Sequence, residues 1–461
     1  MPQPPQTPQT LPTPTNTLHQ DDADYCWHPF TQAKTAKQAL ALVRGENEFL
    51  YDQNGNKYFD AVSSWWVNIH GHCNPHIAGA IAHQAHTMEH VMFAGITHPP
   101  AVELAKRLIA KAPKSMGKVF YSDNGSTAIE VALKMAFQYW NNKAEPRKGL
   151  IALRGGYHGD TFGAMSAGRS SGFYDPFTPW LFDVDFIDTG VCACTEDAAL
   201  AQLQNLLDKA PGHYAAVILE PLVQGASGMI MMRPDHVSKI ASTCRQAGML
   251  VIYDEVMTGF GRTGTLFASE QLTEAGQPDM ICISKGLTGG FMPMAATLAT
   301  DAIYNAFWSD DVNKALLHGH SYTANPLGCA AALASLELFD DPRTWQQIQM
   351  LEDTHRKWLP TLACHPCLNN PRVQGTIAAF EFKSQNAAYG SSNSQWIREA
   401  FLEHGILVRP LGNTMYWIPP YCTSENTLNW AYEVLLKVLE DWKSKENSNN
   451  SEAKPINTEL F

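Results

Sequence analysis

Residues 249–256 read MLVIYDEV, an apolar run that ends on Asp254 and Glu255. Consecutive apolar positions predict a strand that is buried on both faces, as the strands of parallel sheets are. A helical pattern, HVSKIASTCRQAG at 236–248, precedes the run and closes on Gly248, a residue suited to the end of a helix. The chain therefore leads from a helix into a buried strand and leaves that strand at two carboxylates.

The same alternation of apolar runs and helical patterns continues through the middle of the chain. The other predicted strands are KVFYS (118–122), LIAL (150–153), AAVILEP (215–221) and DMICIS (279–284). After the first of them comes TAIEVALKMAFQYW (127–140), whose apolar residues recur at helical spacing. We predict an α/β fold over residues 76–335, with a mainly parallel central sheet and helices on both of its faces.

The segments on either side of this region have a different pattern. FLYDQNGNKYFDAV (49–62) predicts a hairpin around an Asn-Gly turn. Beyond residue 336 there are two long helical patterns, the strand-like stretches IAAFEF, ILVRP and TMYWIPP, and a last helical pattern, NWAYEVLLKVLEDW. We predict that residues 21–75 and 336–442 form one smaller α+β domain, built from both ends of the chain.

Both tails, residues 1–20 and 443–461, are predicted to be disordered because they are rich in polar residues and proline and poor in apolar ones. The first tail has neither a basic region nor an apolar core, so it does not resemble a secretory signal. No stretch of the sequence approaches the roughly 18 apolar residues of a membrane span. We therefore expect no membrane partner.

Charge and cysteine usage narrow the function classes further. The 461 residues carry a formal net charge of -12, which argues against nucleic-acid binding, because a phosphate-binding surface requires a basic excess. The ten cysteines are scattered, and CHPC at 364–367 has no second ligand pair for a zinc site. We expect a reduced, cytoplasmic protein without a metal.

Reactive side chains follow the predicted strands. Ligands of open α/β sheets bind beyond the carboxyl ends of the strands, so these side chains should meet at one edge of the sheet. Lys285 follows DMICIS and is itself followed by a loop of small residues, GLTGG. The other strand-end residues are Gly125 and Ser126 after KVFYS, Tyr157, His158 and Asp160 after LIAL, and Asp254 after MLVIY.

One cofactor uses all of these groups. Pyridoxal 5'-phosphate (PLP) needs a lysine amine, an acid opposite its pyridine nitrogen, a phosphate site and an aromatic face. Gly125 and Ser126 open a predicted helix, and the N–H groups at a helix start suit a phosphate. An attacking amine must be neutral, so we expect burial to lower the pKa of Lys285 below its ordinary value of about 10.4.

Longer segments carry a resemblance to a known family. VIYDEVMTGFGRTG, followed by ISKGLTGG, resembles the class III, PLP-dependent aminotransferases of fold type I. Within that class, six more segments resemble the adenosylmethionine-8-amino-7-oxononanoate aminotransferase family: WHPFTQ (27–32), SSWWVNIHGH (63–72), HVMFAGITH (90–98), GYHGDTFGAMS (156–166), HGHSYTANPLGCA (318–330) and VRPLGNTMYWIPPY (408–421). The similarity covers nearly all of 25–442 and implies amination of 8-amino-7-oxononanoate in biotin biosynthesis.

The resemblance also implies roles for single residues around the cofactor. Lys285 would link covalently to PLP and move the proton, and Asp254 would pair with the pyridinium nitrogen. Gly125 and Ser126 would hold the phosphate, and Tyr157 would stack near the ring and touch the substrate.

Other implied roles concern the substrates and a second subunit. Trp65 and Gly319 would line the substrate pocket, and Arg409 would bind the carboxylate of the keto substrate, a task that suits a planar bidentate donor. His320 and Ser321 would reach the phosphate of the neighbouring subunit, which implies a homodimer with shared active sites.

Three motifs depart from the usual pattern of this family. Phe30 replaces a tyrosine that helps to place the substrate, HGHSYT brings His320 and Ser321 in place of HGPTF, and Leu411 stands where phenylalanine is common. The same three variants occur in members that use L-lysine as amino donor. The expected donor is S-adenosyl-L-methionine, with L-lysine as the alternative.

Several alternatives stay open on the sequence alone. Trp65 and Trp66 are large enough to be ordinary core residues. A structural role is the alternative for four polar side chains: Arg409, Arg262, His158 and His70. Two other functions also fit the motifs, an aminotransferase for different ω-amines or amino acids and a PLP-binding scaffold without catalysis.

Overall fold

The computed structural model describes residues 18–169, 174–384 and 392–452. Its amino-terminal part contains α1 (Leu18–Tyr25), β1 (Leu42–Glu46), β2 (Phe49–Asp52), β3 (Lys57–Asp60), a single turn α2 (Ser63–Trp66), α3 (Pro75–Thr87) and α4 (Pro99–Lys111). The predicted hairpin is confirmed: β2 and β3 pair antiparallel with Phe49 opposite Phe59. The carboxylate of Asp52 stabilises the turn between them by accepting the N–H groups of Asn54 and Asn56.

The middle of the chain alternates strands and helices. Its elements are β4 (Met116–Ser122), α5 (Gly125–Asn142), β5 (Gly149–Leu153), α6 (Phe162–Gly168), β6 (Asp185–Ile187), α7 (Ala193–Lys209), β7 (Tyr214–Leu219), the short ribbon β8 (Val223–Gln224) and β9 (Ile230–Met231), α8 (Pro234–Gln246), β10 (Leu250–Asp254), β11 (Met280–Ile283), β12 (Ala295–Thr300) and α9 (Asp301–Phe307). Every residue of β5, β7, β10 and β11 is buried, as their apolar sequences predict.

These strands form a seven-stranded sheet in the order β4-β12-β11-β10-β7-β5-β6. Neighbouring strands from β11 to β6 pair parallel, whereas β12 runs antiparallel to both β11 and β4. The prediction of a mainly parallel α/β sheet is confirmed. The sequence analysis missed β12, whose alanines and threonines give no strong apolar run, and β6, which has only three residues.

The carboxy-terminal part returns to the amino-terminal strands. It contains α10 (Pro326–Asp340), α11 (Pro342–Cys364), β13 (Leu368–Gln374), β14 (Ile377–Phe382), α12 (Ser392–Glu403), β15 (Ile406–Leu407), β16 (Thr414–Trp417) and α13 (Glu425–Glu452). β13, β14 and β16 form one sheet, while β15 pairs parallel with β3, which places Ile406 opposite Phe59. The two ends of the chain therefore meet in a single four-stranded sheet, β1-β2-β3-β15.

The structure corrects the predicted disordered tails. α1 starts at Leu18, inside the predicted tail 1–20, and α13 continues to Glu452, well into the predicted tail 443–461. The helix continues because no glycine or proline interrupts the polar sequence before Pro455. Residues 1–17 and 453–461, to which the rest of that prediction applies, lie outside the described residues.

The described residues also bear on the predictions about a metal site and a membrane span. The ten cysteines all lie within the described residues, and none of them forms a disulfide bond there. Over the described ranges there is no group of three or more His, Cys, Asp or Glu side chains placed to hold a metal ion. Nor does this part of the chain contain a helix that is long and apolar enough to span a membrane.

Candidate active site

A cavity of about 810 Å³ opens at the carboxyl ends of β5, β7, β10 and β11. Eight residues predicted for the site line it: Phe30, Trp65, Gly125, Ser126, Tyr157, Asp254, Lys285 and Arg409. The other three, Gly319, His320 and Ser321, are not in the lining of this single chain. His320 lies nearby, with its Nε2 atom 4.0 Å from the carboxylate of Asp123, a residue of the cavity wall.

Lys285 lies one residue, Ser284, beyond β11 and opens a short 3-10 turn, Lys285–Thr288, with a φ of 43°. Its amine lies 4.9 Å from the centre of the Trp66 ring. Burial lowers the pKa of the Lys285 amine, against the opposite effect of the carboxylates of Asp254 and Glu220. The direction is the one that the sequence analysis expects, and it favours the neutral, nucleophilic form of the amine.

Asp254 is the last residue of β10, and two hydrogen bonds fix its carboxylate. Its Oδ1 atom accepts the N–H of Val256 at 3.0 Å, and its Oδ2 atom lies 2.8 Å from Nδ1 of His158. The imidazole of His158 is buried, and so is most of Asp254. His158 therefore supports Asp254, in agreement with the structural alternative for this histidine.

Glu220 is a buried residue of the cavity wall that the sequence analysis missed. It follows β7 and accepts the N–H groups of Tyr157 at 3.1 Å and Gly225 at 2.9 Å. Burial, together with the nearby charge of Asp254 and against that of His158, raises the pKa of Glu220 to about 7. The signal was present, because AAVILE ends a buried strand on a carboxylate in the same way as MLVIYD.

The start of α5 forms another side of the cavity. Asn124 caps the helix by accepting the N–H of Thr127 at 3.1 Å, so the first turn faces the cavity at Gly125 and Ser126. A Cβ atom on Gly125 would lie 2.7 Å from Val256, and only glycine lets α5 approach the loop after Asp254 so closely. This first turn can bind an anion through its N–H groups and the helix dipole.

Aromatic and cationic side chains form the outer part of the cavity. The guanidinium of Arg409 lies 4.0 Å from the centre of the Trp65 ring, and Phe30 meets the same ring edge-on at 5.6 Å. Trp66 is buried and donates its indole N–H to the hydroxyl of Tyr416 at 3.1 Å. Trp65 is thus a wall residue of the cavity, whereas Trp66 belongs to both the core and the wall.

The two remaining polar residues, Arg262 and His70, are buried and contact core residues. Arg262 is buried, donates to the carbonyl of Pro419 at 2.7 Å and lies over the ring of Tyr421. His70 lies 3.1 Å from the hydroxyl of Ser335, and burial lowers the pKa of its imidazole to about 3. Neither residue lines the cavity, and both tie segments of the described core together.

Comparisons with known proteins identify the family. The family model for class III aminotransferases matches residues 31–439. An adenosylmethionine-8-amino-7-oxononanoate aminotransferase of Synechococcus elongatus is 49% identical over 90% of this chain and 99% of its own length. The crystal structure of the enzyme of that name from Methanocaldococcus jannaschii is 38% identical, with a TM-score of 0.88 over 92% of this chain and 99% of its own. The chain belongs to the class III aminotransferase family.

A more distant relative has a crystal structure with PLP bound. An amine transaminase from an uncultivated Pseudomonas species, in its PLP-bound form, is 29% identical, with a TM-score of 0.82 over 89% of this chain and 97% of its own. The cavity of our class III aminotransferase fits PLP, because it brings together the Lys285 amine, the anchored carboxylate of Asp254 and the anion-binding start of α5.

Glu255, beside Asp254, does not line the cavity of this aminotransferase but anchors the start of a 3-10 turn, Ala268–Gln271. Its carboxylate accepts the N–H groups of Ala268 at 2.6 Å and Ser269 at 2.9 Å. The two consecutive carboxylates therefore both have partners, as their burial requires. Burial raises the pKa of Glu255 to about 7, from an ordinary value of 4.5.

The substitution Glu255→Gln is expected to make the stability less dependent on pH. The carboxyl group of Glu255 stays protonated to a higher pH in the folded chain than in the unfolded chain. The stability of the wild type therefore falls as the pH rises from about 4.5 through 7, because the buried carboxyl group must then lose its proton. The unfolding free energy of the variant relative to the wild type should therefore increase by on the order of 3 kcal/mol between pH 4.5 and 8.

Urea unfolding of both proteins across that pH range checks this expectation. The same substitution at the exposed Glu403 is the control and should leave the curve of the wild type unchanged. Parallel curves for Glu255→Gln and the wild type would contradict the raised pKa.

Proposed function

We propose that this aminotransferase transfers an amino group to 8-amino-7-oxononanoate, giving 7,8-diaminononanoate in biotin biosynthesis, with S-adenosyl-L-methionine as the donor. The observation that carries the acceptor is the guanidinium of Arg409 held over the Trp65 ring at the cavity wall. A cation above an apolar surface suits a substrate that has a carboxylate at the end of an aliphatic chain. The names of the full-length relatives support the same acceptor.

The residues of the inner cavity support amino-group transfer on PLP. When bound, the cofactor supplies an aldehyde that condenses with amines and a ring that takes up an electron pair from the substrate carbon. The amine of Lys285, whose pKa burial lowers, would bind the cofactor and would hold and move the proton at the reacting carbon. Asp254, oriented by His158, would pair with the ring nitrogen and favour its protonated form.

The remaining wall residues bind and orient. The start of α5, with Gly125 and Ser126, would hold the phosphate, and Ser126 is itself fixed by a hydrogen bond of 2.7 Å to the hydroxyl of Thr161. Tyr157 would stack near the ring, and its hydroxyl donates to Asp160 at 3.1 Å. Trp65, Arg409 and Phe30 would bind the substrate chain, and the two aromatic rings would exclude water from it.

A homodimer with shared sites is part of the proposal. Gly319 and Ser321 are exposed in the single chain, and so are two large neighbours, Leu317 at 74% and Tyr322 at 64%. Exposed apolar side chains of this size mark a surface that another protein covers. A second copy of the chain would cover them and bring 319–321 to the phosphate. Ten cysteines without a disulfide bond among the described residues support a reduced, cytoplasmic location.

A specific observation favours the other donor, L-lysine. Two of the three departures from the family pattern, Phe30 and Leu411, line the cavity where a donor must bind. Phe30 lacks the hydroxyl of the usual tyrosine, and Leu411 has no aromatic ring. A third possibility, a broader amine aminotransferase, is supported by the structural likeness to amine transaminases.

Single half-reactions separate these donors. The PLP form is mixed with S-adenosyl-L-methionine, with L-lysine or with a panel of ω-amines, and the visible absorbance of the lysine-bound cofactor is followed. We expect S-adenosyl-L-methionine to bleach this absorbance and L-lysine to leave it. Bleaching by L-lysine alone would replace the proposed donor, and conversion of simple ω-amines without turnover of 8-amino-7-oxononanoate would overturn the proposed acceptor.

Subunit complementation tests the catalytic lysine and the shared site together. Lys285→Ala should abolish turnover because no other amine takes its place, and Ser321→Asp should abolish it because a carboxylate repels the phosphate. If the sites are shared, coexpression of both variants gives hybrid dimers with one intact site, and about a quarter of the wild-type activity returns.

Coexpression of Lys285→Ala with Lys285→Met is the control, which should stay inactive. Full activity of Lys285→Ala alone would remove the assignment of the lysine. Lack of recovery in the hybrid, with both single variants inactive and dimeric, would instead remove only the sharing of sites.

A further inference from the structure

Residues 63–66, with the sequence SSWW, form a left-handed turn. Their φ angles are 48°, 48°, 82° and 71°, and none of the four is glycine. Residues with a side chain rarely adopt this conformation, and a run of them persists only where surrounding contacts impose it. Such backbone strain concentrates at functional sites, and this turn contributes three consecutive residues, 64–66, to the wall of the cavity.

Asp60 is the side chain that holds the turn from one side. It is 1% exposed, and its Oδ1 atom accepts the N–H of Ser64 at 2.9 Å while Oδ2 accepts the Ser64 hydroxyl at 2.6 Å. Nε2 of His72 donates to Oδ2 at 2.9 Å, because Nδ1 of the same ring accepts from Asn68 at 2.8 Å. Both carboxylate oxygens are therefore directed at the strained segment by fixed neighbours.

The opposite side of the turn is held by the carboxy-terminal part of the chain. The hydroxyl of Ser63 donates to the carbonyl of Ile418 at 2.7 Å, and the indole of Trp66 donates to Tyr416. These two contacts flank Ser64 and Trp65 but do not touch them. Asp60 thus fixes the backbone at Ser64, the residue that directly precedes Trp65.

We propose that Asp60 is a positioning residue that sets substrate recognition through Trp65. Its hydrogen bonds hold Ser64 in the left-handed conformation, which places the Trp65 ring under the guanidinium of Arg409 and against Phe30. Without the carboxylate the strained backbone relaxes, and the ring leaves Arg409. The identity of the acceptor rests on the proposed function, whereas the link between Asp60 and Trp65 does not.

The first test compares two buried aspartates of the same sheet. Asp60→Asn should lower kcat/KM for 8-amino-7-oxononanoate by about ten- to a hundredfold, mainly through KM, because charged hydrogen bonds to Ser64 are lost. Asp52→Asn is the matched control: Asp52 is 7% exposed and also accepts backbone N–H groups, but its turn does not line the cavity. It should leave KM unchanged.

A double-mutant cycle separates positioning from a general structural role. In a Trp65→Ala background, Asp60→Asn should have no further effect on kcat/KM, because the ring it positions is already absent. Ser64→Ala, which removes only the hydroxyl contact, should shift KM in the same direction by a smaller factor. Equal losses for Asp60→Asn in both backgrounds, or an unchanged KM with a folded variant, would overturn the proposal.

A measurement on the cofactor-free protein needs neither substrate nor activity. Acrylamide quenching of tryptophan fluorescence should increase in Asp60→Asn relative to the wild type, and this increase should vanish in the Trp65→Ala background. Quenching that rises equally in both backgrounds would contradict the link. If the wild type does not turn over 8-amino-7-oxononanoate, the proposed function fails, while the quenching result still decides the role of Asp60.

Discussion

Buried charge at the carboxyl edge of the sheet is the constraint on which the rest of the site depends. Asp254, Glu220 and Glu255 all leave fully buried strands, where an unpaired carboxylate would be strongly unfavourable. Each has fixed donors, either backbone N–H groups or the imidazole of His158. Burial in the same region lowers the pKa of the Lys285 amine, against the opposite effect of the carboxylates of Asp254 and Glu220. The parallel sheet therefore supplies the reactive groups and also the low-dielectric surroundings that tune them.

The substrate side of the cavity is built differently from the cofactor side. The cofactor side consists of strand ends and the start of α5, all from the middle of the chain. The substrate side consists of the turn at Trp65 and the loop that carries Arg409, which come from opposite ends of the sequence. Pairing of β3 with β15 brings these ends together. In the proposed function, chemistry and substrate recognition are thus carried by separate parts of the fold, as in many enzymes that share one cofactor.

Sequence patterns were sufficient where the local signal was strong. Five strands of the central sheet were predictable from their apolar runs, and the strand-end positions of Lys285 and Asp254 follow from two of these runs. β12 was missed because small residues can belong to any element, and Glu220 was missed although its strand carries the same pattern as that of Asp254. The left-handed turn at 63–66 could not be predicted, since serine and tryptophan do not favour positive φ and its contacts lie some 350 residues away.

The hydrogen bond between Ser63 and Ile418 joins the two ends of the chain, and this has a consequence for the order in which the protein folds on the ribosome. The amino-terminal strands emerge first, but β3 has no parallel neighbour until β15, near the end of the chain, has been synthesised. All seven strands of the central sheet lie within residues 116–300, so this sheet can form before β15 is synthesised, and the cofactor pocket can precede the substrate pocket. A nascent chain stopped before residue 406 would therefore carry the lysine and its carboxylates without the surface that selects what they react with.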